Sequence, residues 1–449
     1  MLIEDFFEDE YVVFANYRTT QRLPNHDGLI ETQRKIIYTF LNMNKVNKER
    51  TVTLSSDVMK YTHYNHGDKS VSTVINNLAA SWQNNIPLLM EDGSFGYRSN
   101  NRAADPRYTQ TRIRQYLKLL FNPIDNEQFV TKQFDGDGHE IEPLTLIPIL
   151  PLLAINGQHQ IGVGFATKTL PRNPEEIITL IKNILEKKTK TIPSTLIPWY
   201  WSYKGKIEAV GDNNVSWNFS GIWERSKNNT IIIREVPMKF DREKYIKNLE
   251  DLKESGKILS YKENINKNDF YIEVKVDATT YKFTDAKIVK LLNLEAQESE
   301  FINIINEQGE IVTEYECLGQ YLYSFIKWRL GVYGQRKAFL ISEIVSDIIR
   351  LNAIIRFIRL VNDNVINIHK QTKINIEAQI VENKFEKIDE SYNYLLSLKI
   401  YDLTEEKIQD YLDDIVRLEK EKKALEIITP ATMWLDDIIA FEKVWKKLR

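Results

Sequence analysis

A single cysteine, Cys317, stands in a chain of 449 residues. Its isolation excludes an intramolecular disulfide and any zinc centre built on cysteine pairs, and it suits a reducing cytosol. No stretch approaches the roughly 18 uninterrupted apolar residues of a bilayer span, so no membrane segment is expected. The opening MLIEDFFEDEYVVFANYR is acidic and has neither the basic tip nor the apolar run of a secretion signal, which again points to the cytoplasm. A nucleotide loop is missing too. The glycines of GQHQIGVG (Gly157 to Gly164) are not followed by Gly-Lys-Ser/Thr, so ATP is not expected to bind there. Nor is there an excess of one charge: 60 basic residues face 63 acidic ones, and any attraction to a polyanion must come from local clustering. What remains is the composition of a folded protein, 43% hydrophobic and 27% charged, in a chain long enough for about two to four domains.

Local clustering is found between Arg98 and Lys118. Arg98, Arg102, Arg107, Arg112, Arg114 and Lys118 stand there against one acid, Asp105, a strip suited to a polyanion. Inside it Tyr108 follows Arg107 directly, just after Asp105-Pro106. A phenol with a pKa of about 10 attacks phosphorus readily only where cations or a metal favour the phenolate. Tyr108 is therefore either a nucleophile held against a nucleic-acid backbone or a packed tyrosine at a helix start.

Taken in order, Ile3 to Phe14 has the spacing of an amphipathic helix, followed by Arg18, Arg22 and the turn LPNHDG. TQRKIIYTFL from Thr32 puts Ile36, Ile37, Phe40 and Leu41 on one face, with Gln33, Arg34 and Lys35 at an exposed helix start suited to phosphates. Helices at Ser55 to Tyr61 and Ser72 to Trp82, broken by His66-Gly67-Asp68, fit a DNA-reading helix-turn-helix. His63 and His66 could form a metal pair, but no third ligand at suitable spacing is evident, and His66 reads better as a phosphate contact. MEDGSFGYRSNNR reads as a loop or small wing. A helix is expected from Tyr108 to about Phe121, stopped by Asn122-Pro123. Phe134 to Ile141 encloses DGDG in a tight hairpin and lacks the remaining positions of a calcium loop. Leu146 to Thr167 reads as extended chain passing close to other backbone. Mixed helix and strand signals from Arg172 to Val276 suggest a self-contained α+β domain. Beyond Glu314, Tyr321 to Val361 and Thr404 to Ile427 carry apolar residues at coiled-coil spacing, an antiparallel arm with a globular tip between them.

Six ordered motifs carry a resemblance. DGLIETQRK (Asp27 to Lys35), YNHGD (Tyr64 to Asp68), FGYR (Phe95 to Arg98), AADPRYTQTR (Ala103 to Arg112), the run Leu146 to Thr167, and SYNYLLSLKIYDLTEEKI (Ser391 to Ile408) resemble, in that order, the breakage-reunion subunit of type IIA DNA topoisomerases. The similarity runs from about Asn16 to about Trp445. Pro106-Arg107-Tyr108 and LLFNP (Leu119 to Pro123) place it nearer the eukaryotic and tailed-phage branch than bacterial gyrase, and its length matches the medium subunit of tailed-phage topoisomerases.

The resemblance implies a multidomain α+β chain: a winged-helix DNA-cleavage domain over 1–168, an α/β tower domain over 169–318, and a long antiparallel coiled coil with a helical dimerisation gate over 319–449. It implies that Tyr108 attacks a phosphodiester and becomes linked to the 5′ phosphate, that Arg107 stabilises the transition state, and that His66 and Arg34 lie near the scissile phosphate. Ile161 would wedge between base pairs, and Arg22, Lys35, Arg98, Arg102, Arg112 and Arg114 would contact DNA. Four positions depart from the family pattern: Ile30 stands where a lysine is usual, Glu31-Thr32 replaces the proline pattern, and Tyr64 takes the place of a histidine. A backbone contact near Ile30 is expected to be lost.

The chain shows no ATP module and no acidic cluster for catalytic Mg²⁺, so the resemblance implies that both cofactors belong to a separate large subunit. The implied assembly is a homodimer on double-stranded DNA with that large subunit, in the cytoplasm of a phage-infected bacterium. Its activity would be relaxation or decatenation, since the DNA-wrapping domain of gyrase is not expected after Arg449. The competing reading is an architectural DNA-binding protein of the same fold that performs no cleavage.

Overall fold

Apolar residues spaced by threes and fours build the first layer. It consists of α1 (Val12–Arg22), α2 (Glu31–Asn42), α3 (Thr51–Tyr61) and α4 (Asp68–Ala79). Ile36, Ile37 and Phe40 of α2 are buried together with Leu54 and Val58 of α3 and Val71, Ile75 and Leu78 of α4. The computed structural model describes residues 11–65, 67–194, 196–211, 215–388 and 390–448. The helix expected at Ile3 to Phe14 lies largely outside them, and Arg18 and Arg22 sit within α1 rather than after a helix. Among the described residues, no helix is long and apolar enough to cross a membrane.

Beside the helices, β1 (Glu49–Arg50), β2 (Leu89–Asp92) and β3 (Gln110–Ile113) form an antiparallel sheet in the order β1-β3-β2. The helix expected from Tyr108 to Phe121 is therefore corrected. Thr111 and Ile113 alternate inward with period two and pair with Glu91 and Leu89, so the segment is a strand. Helix is confined to Leu117–Leu120, and Asn122, read as a stop, instead caps the next helix by accepting from the Ile124 N–H at 3.0 Å. Leu146 to Thr167 is likewise not extended throughout. One helical stretch, Leu152–Asn156, precedes the hairpin of β4 (Gln158–Ile161) and β5 (Ala166–Thr169).

Further along, α5 (Pro174–Leu185) is capped by Asn173 with proline at its first position. Two antiparallel sheets follow. The first has order β12-β7-β6, from β6 (Lys206–Ala209), β7 (Ser216–Ser220) and β12 (Glu295–Ser299). The second has order β10-β11-β9-β8, from β8 (Ile222–Ser226), β9 (Thr230–Glu235), β10 (Ser260–Glu263) and β11 (Ile272–Lys275). Inward residues Ile231, Ile233, Ile272 and Val274 pack on Tyr245, Leu249 and Leu252 of α6 (Arg242–Glu254), so alternating strands and a helix face share one core. A last hairpin, β13 (Ile302–Ile305) with β14 (Ile311–Tyr315), leads to α7 (Leu318–Asn362), a helix of 45 residues.

The chain divides into two compact units, Met1–Arg329 with Leu435–Arg449, and Leu330–Trp434. In the second, Leu351, Ile354, Ile355 and Ile358 of α7 share a core with Ile408 and Ile415 of α8 (Glu405–Ile427). The intervening residues add Ile366, Ile380, Phe385 and Leu395 to it. Arg356 caps this core, its guanidinium 3.9 Å from the Phe385 ring centroid and donating to Asn383 O at 2.5 Å. In the first unit, Trp445 and Phe441 of α9 (Pro430–Trp445) stack, and Phe441 meets the Tyr116 ring edge-on.

The sheet β12-β7-β6 is locked to the preceding segment by a buried ion pair. Glu300 holds Arg172 through two oxygens at 2.6 and 3.1 Å and accepts from Trp217 Nε1 at 2.7 Å. Glu300→Ala would leave a buried cation and an indole N–H without their acceptor, an expected loss of about 3–5 kcal/mol in urea unfolding. The exposed Glu208→Ala is expected to change stability by about 0.5 kcal/mol or less. Equal losses would show that the buried pair does not hold this sheet in place.

Candidate functional site

Tyr108 lies on a surface turn rather than at a helix start, with its N–H donating to Asp105 O at 2.8 Å and its side chain 73% exposed. The turn is rigidly backed. Thr51 N–H donates to Thr109 O at 3.0 Å, the Thr51 and Thr109 hydroxyls bond at 2.8 Å, and Val52 N–H reaches Pro106 O. The phenol is thus presented outward by a fixed backbone, and the packed-tyrosine alternative does not hold. Arg107 stands beside it, its N–H and Nε both donating to Asp105 Oδ1 at 3.0 Å. Those bonds, the backbone one first, hold the Asp105 carboxyl below the usual range. Both partners are exposed and water screens the pair, so Arg107 can exchange Asp105 for a phosphate at little cost.

Arg34 is placed differently. It is 3% exposed, and its guanidinium donates to Asp27 Oδ2 at 2.7 Å, Asp27 Oδ1 at 3.3 Å and Leu29 O at 2.7 Å. Lys35 is also buried, between Glu142 at 2.7 Å and Glu31 at 3.3 Å. Burial pushes the Glu142 carboxyl up, against the opposing pull of Lys35. The expected exposed basic start of α2 is therefore corrected: both cations turn inward because the loop before the helix and the segment after residue 141 pack over them. Arg34 still lines a cleft of about 570 Å³ together with Tyr64 and Asn65, while Arg107 and Tyr108 are not among its lining residues. His66 itself lies outside the described residues.

Ile161 ends β4 and is 70% exposed at the hairpin, so it is not a core residue. Thr19 of α1 grips the hairpin tip, its hydroxyl donating to Val163 O at 2.9 Å and accepting from Val163 N–H at 3.1 Å. At the base, Gln158 donates to Gly28 O at 3.1 Å and Gln33 Oε1 at 2.7 Å. A single apolar side chain is thereby presented to water on a hairpin anchored by polar bonds at both ends. Neither Thr19 nor Gln158 stands out in the sequence, since each is an ordinary polar residue whose partner is more than a hundred positions away.

The basic strip divides. Arg98 is 3% exposed and donates to Phe240 O, Val236 O and Pro237 O, with Glu235 at 3.4 Å and the Phe270 ring below it. Burial lowers its pKa. Its expected DNA contact is corrected to a structural one, because the Phe95 to Arg98 turn packs onto the β8–β11 sheet. Arg102 and Arg107 remain well exposed, Arg22 is exposed at the end of α1, and Arg112 on β3 and Arg114 just after it are half-buried, with Nε on Met90 Sδ and Leu89 O.

A model of the DNA gyrase/topoisomerase IV A-subunit family matches residues 23–441. Among curated proteins, DNA topoisomerase 2 of Plasmodium falciparum is 29% identical over 98% of this chain and 34% of that protein. The mitochondrial DNA topoisomerase 2 of Dictyostelium discoideum is 26% identical over 99% of this chain and 35% of that protein. The chain thus spans about a third of the length of these relatives. The crystal structure of the DNA-binding, cleavage and re-ligation domain of Plasmodium falciparum topoisomerase II superposes with a TM-score of 0.84 at 26% identity, covering 99% of this chain and 65% of that one.

The two arginines are expected to separate in their effects on stability. Arg34→Ala leaves Asp27 buried without its cation and is expected to lower unfolding stability by about 3–5 kcal/mol. Arg107→Ala is expected to change it by about 0.5 kcal/mol or less. Urea denaturation of the two variants measures both, and an Arg34→Ala chain as stable as wild type would remove its structural part.

Proposed function

Because the chain belongs to the DNA gyrase/topoisomerase IV A-subunit family, we propose that it is the breakage-reunion part of a type IIA DNA topoisomerase, with Tyr108 as the nucleophile. The observation that carries this reading is an exposed tyrosine on a rigid turn beside an exchangeable arginine. The phenol oxygen attacks a phosphodiester phosphorus, the P–O3′ bond breaks, and the phenolic proton ends on the departing 3′ oxygen. A 5′-phosphotyrosyl link and a 3′ hydroxyl remain, and the reverse step reseals the strand. Arg107 stabilises the charge that develops on the non-bridging oxygens, the largest contribution a protein makes to phosphoryl transfer. His66 contacts the phosphate. Arg34, its guanidinium committed to Asp27, acts as a positioning residue that sets the cleft beside Tyr64 and Asn65.

Ile161 enters a base step of the bent duplex, at a cost of about a few kcal/mol in unstacking that the added contacts offset. Arg22, Arg102, Arg112 and Arg114 bind phosphates. The first layer serves as a winged-helix domain over 1–168, the two sheets with α6 as a tower over 169–318, and 319–449 as a coiled coil with a dimerisation gate, so that a homodimer brings two tyrosines to one duplex. In this reading the chain acts as the medium subunit of a tailed-phage enzyme that relaxes or decatenates DNA.

Mg²⁺ and ATP belong to a partner large subunit in this reading. Among the described residues, the one group of three or more potential ligands is His63, Asp135 and His139, and two imidazoles do not suit Mg²⁺, which takes oxygen ligands.

The reading is tested by mixing the chain, its large-subunit partner, Mg²⁺ and supercoiled plasmid, then adding detergent and protease. Linear, protein-linked DNA is expected with wild type and none with Tyr108→Phe, whose DNA binding is retained. Wild type that binds but never yields linear DNA would leave a non-cleaving architectural protein. In a salt titration of binding, neutralising Arg102 is expected to reduce the slope by about one phosphate contact. An unchanged slope would take Arg102 off the DNA path.

A further inference from the structure

The connection between α3 and α4 carries His63, a non-glycine residue held in the left-handed region at φ 51°. It is the residue just past the end of α3, where the Tyr64 N–H donates back to Met59 O at 3.0 Å. What His63 meets there is the DGDG hairpin. Its Nδ1 lies 3.0 Å from Asp135 Oδ2, and His139 Nδ1 lies 3.2 Å from the same oxygen. The two imidazoles are stacked, with centroids 4.5 Å apart and 29° between planes. The other carboxylate oxygen, Oδ1, accepts from the Asp137 N–H at 3.0 Å and the His139 N–H at 2.8 Å, so the carboxylate cannot rotate and Oδ2 faces both rings. The three donor atoms lie within 4.8 Å of one another.

From this geometry we propose that His63, Asp135 and His139 form a binding site for a divalent transition-metal cation of the zinc class, independent of the DNA-cleavage reading. Two imidazole nitrogens and one carboxylate oxygen make the donor set that borderline cations such as Zn²⁺ accept. Bonds of about 2.0–2.1 Å at tetrahedral angles separate ligand atoms by about 3.4 Å, so the observed 3.0 and 3.2 Å need open only by a few tenths of an ångström. The backbone N–H groups on Oδ1 supply the outer hydrogen bonds that orient a ligating carboxylate.

Without a cation, the single oxygen Oδ2 faces both imidazoles. With a cation, both rings are neutral and give it their Nδ1 lone pairs. The fourth position is open to water, because His63 and His139 are exposed and the site stands on the rim of the cleft that Arg34, Tyr64 and Asn65 line. The cation would clip the turn before Tyr64 to the hairpin, two segments that the chain separates by about seventy residues. Along the chain the neighbouring imidazole of His63 is that of His66. Its other partners come from DGDGH, which only folding brings near.

The test uses the full chain without an affinity tag, stripped with chelator and then titrated with Co²⁺ as a visible probe and with Zn²⁺ for metal content after dialysis. Wild type is expected to retain about one Zn²⁺ per chain, to develop the visible absorption of low-symmetry four-coordinate Co²⁺, and to melt at a higher temperature with Zn²⁺ than without. His139→Ala, at an exposed position that leaves the fold intact, and Asp135→Asn are each expected to bind at least about tenfold more weakly and to lose the melting shift. Wild type that dialyses free of metal would overturn the proposal. So would equal retention by wild type and both variants, which would place the cation elsewhere.

Discussion

Asp27 is the point on which this region of the molecule depends. Fully buried, it accepts four hydrogen bonds: from Leu29 N–H and Arg34 Nη2 on Oδ1, and from Arg34 Nε and Leu146 N–H on Oδ2. A carboxylate out of water is tolerable only when every lone pair is met in this way. The consequence is a fixed junction between the start of α2 and the segment that leads to the β4–β5 hairpin. The next residue tightens it. Gly28 adopts φ 77°, and a Cβ there would lie 2.3 Å from the Leu153 backbone nitrogen, so no other residue fits. Through that junction and the Gln158 and Thr19 bonds, the hairpin that carries the exposed Ile161 is tied to α1 and to the loop before α2.

The same physics sorts the cations. Arg34, Lys35, Arg98 and Arg172 are inside, and each has a carboxylate within reach because a lone buried charge would be expelled or neutralised. Arg102 and Arg107 are outside, on exposed carboxylates that water already screens. The inner set gives shape, and the outer set gives a surface whose partners can be exchanged for phosphates. Arginine occurs in both sets, so residue type does not separate them, which is why a strip read along the chain mixed Arg98 with Arg102.

Much of the architecture was readable in one dimension. The apolar spacing of α2, the long helix ending at Asn362, the helix Glu405–Ile427 and the alternation of Thr230–Glu235 each follow from a local period that a helix or strand must obey. The segment after Tyr108 was not, because Thr111 and Ile113 become strand residues by pairing with Glu91 and Leu89, some twenty positions earlier. Tertiary pairing there overrides a sequence that also carries a helical spacing. The candidate residues show the same divide. Arg107 and Tyr108 are singled out along the chain because they are adjacent, whereas the His63, Asp135 and His139 cluster spans segments that no window includes.

The sequence by itself determined the kinds of element, the order of the family motifs and the identity of the exposed nucleophile candidate, since these rest on local periodicity and on neighbours in the chain. Only the tertiary structure decided which charges are buried, that Tyr108 sits on a turn, and that Ile161 points outward. Those outcomes depend on what covers each side chain. Desolvation and hydrogen-bond satisfaction are properties of the packed surroundings, and the surroundings come from residues far away in the chain.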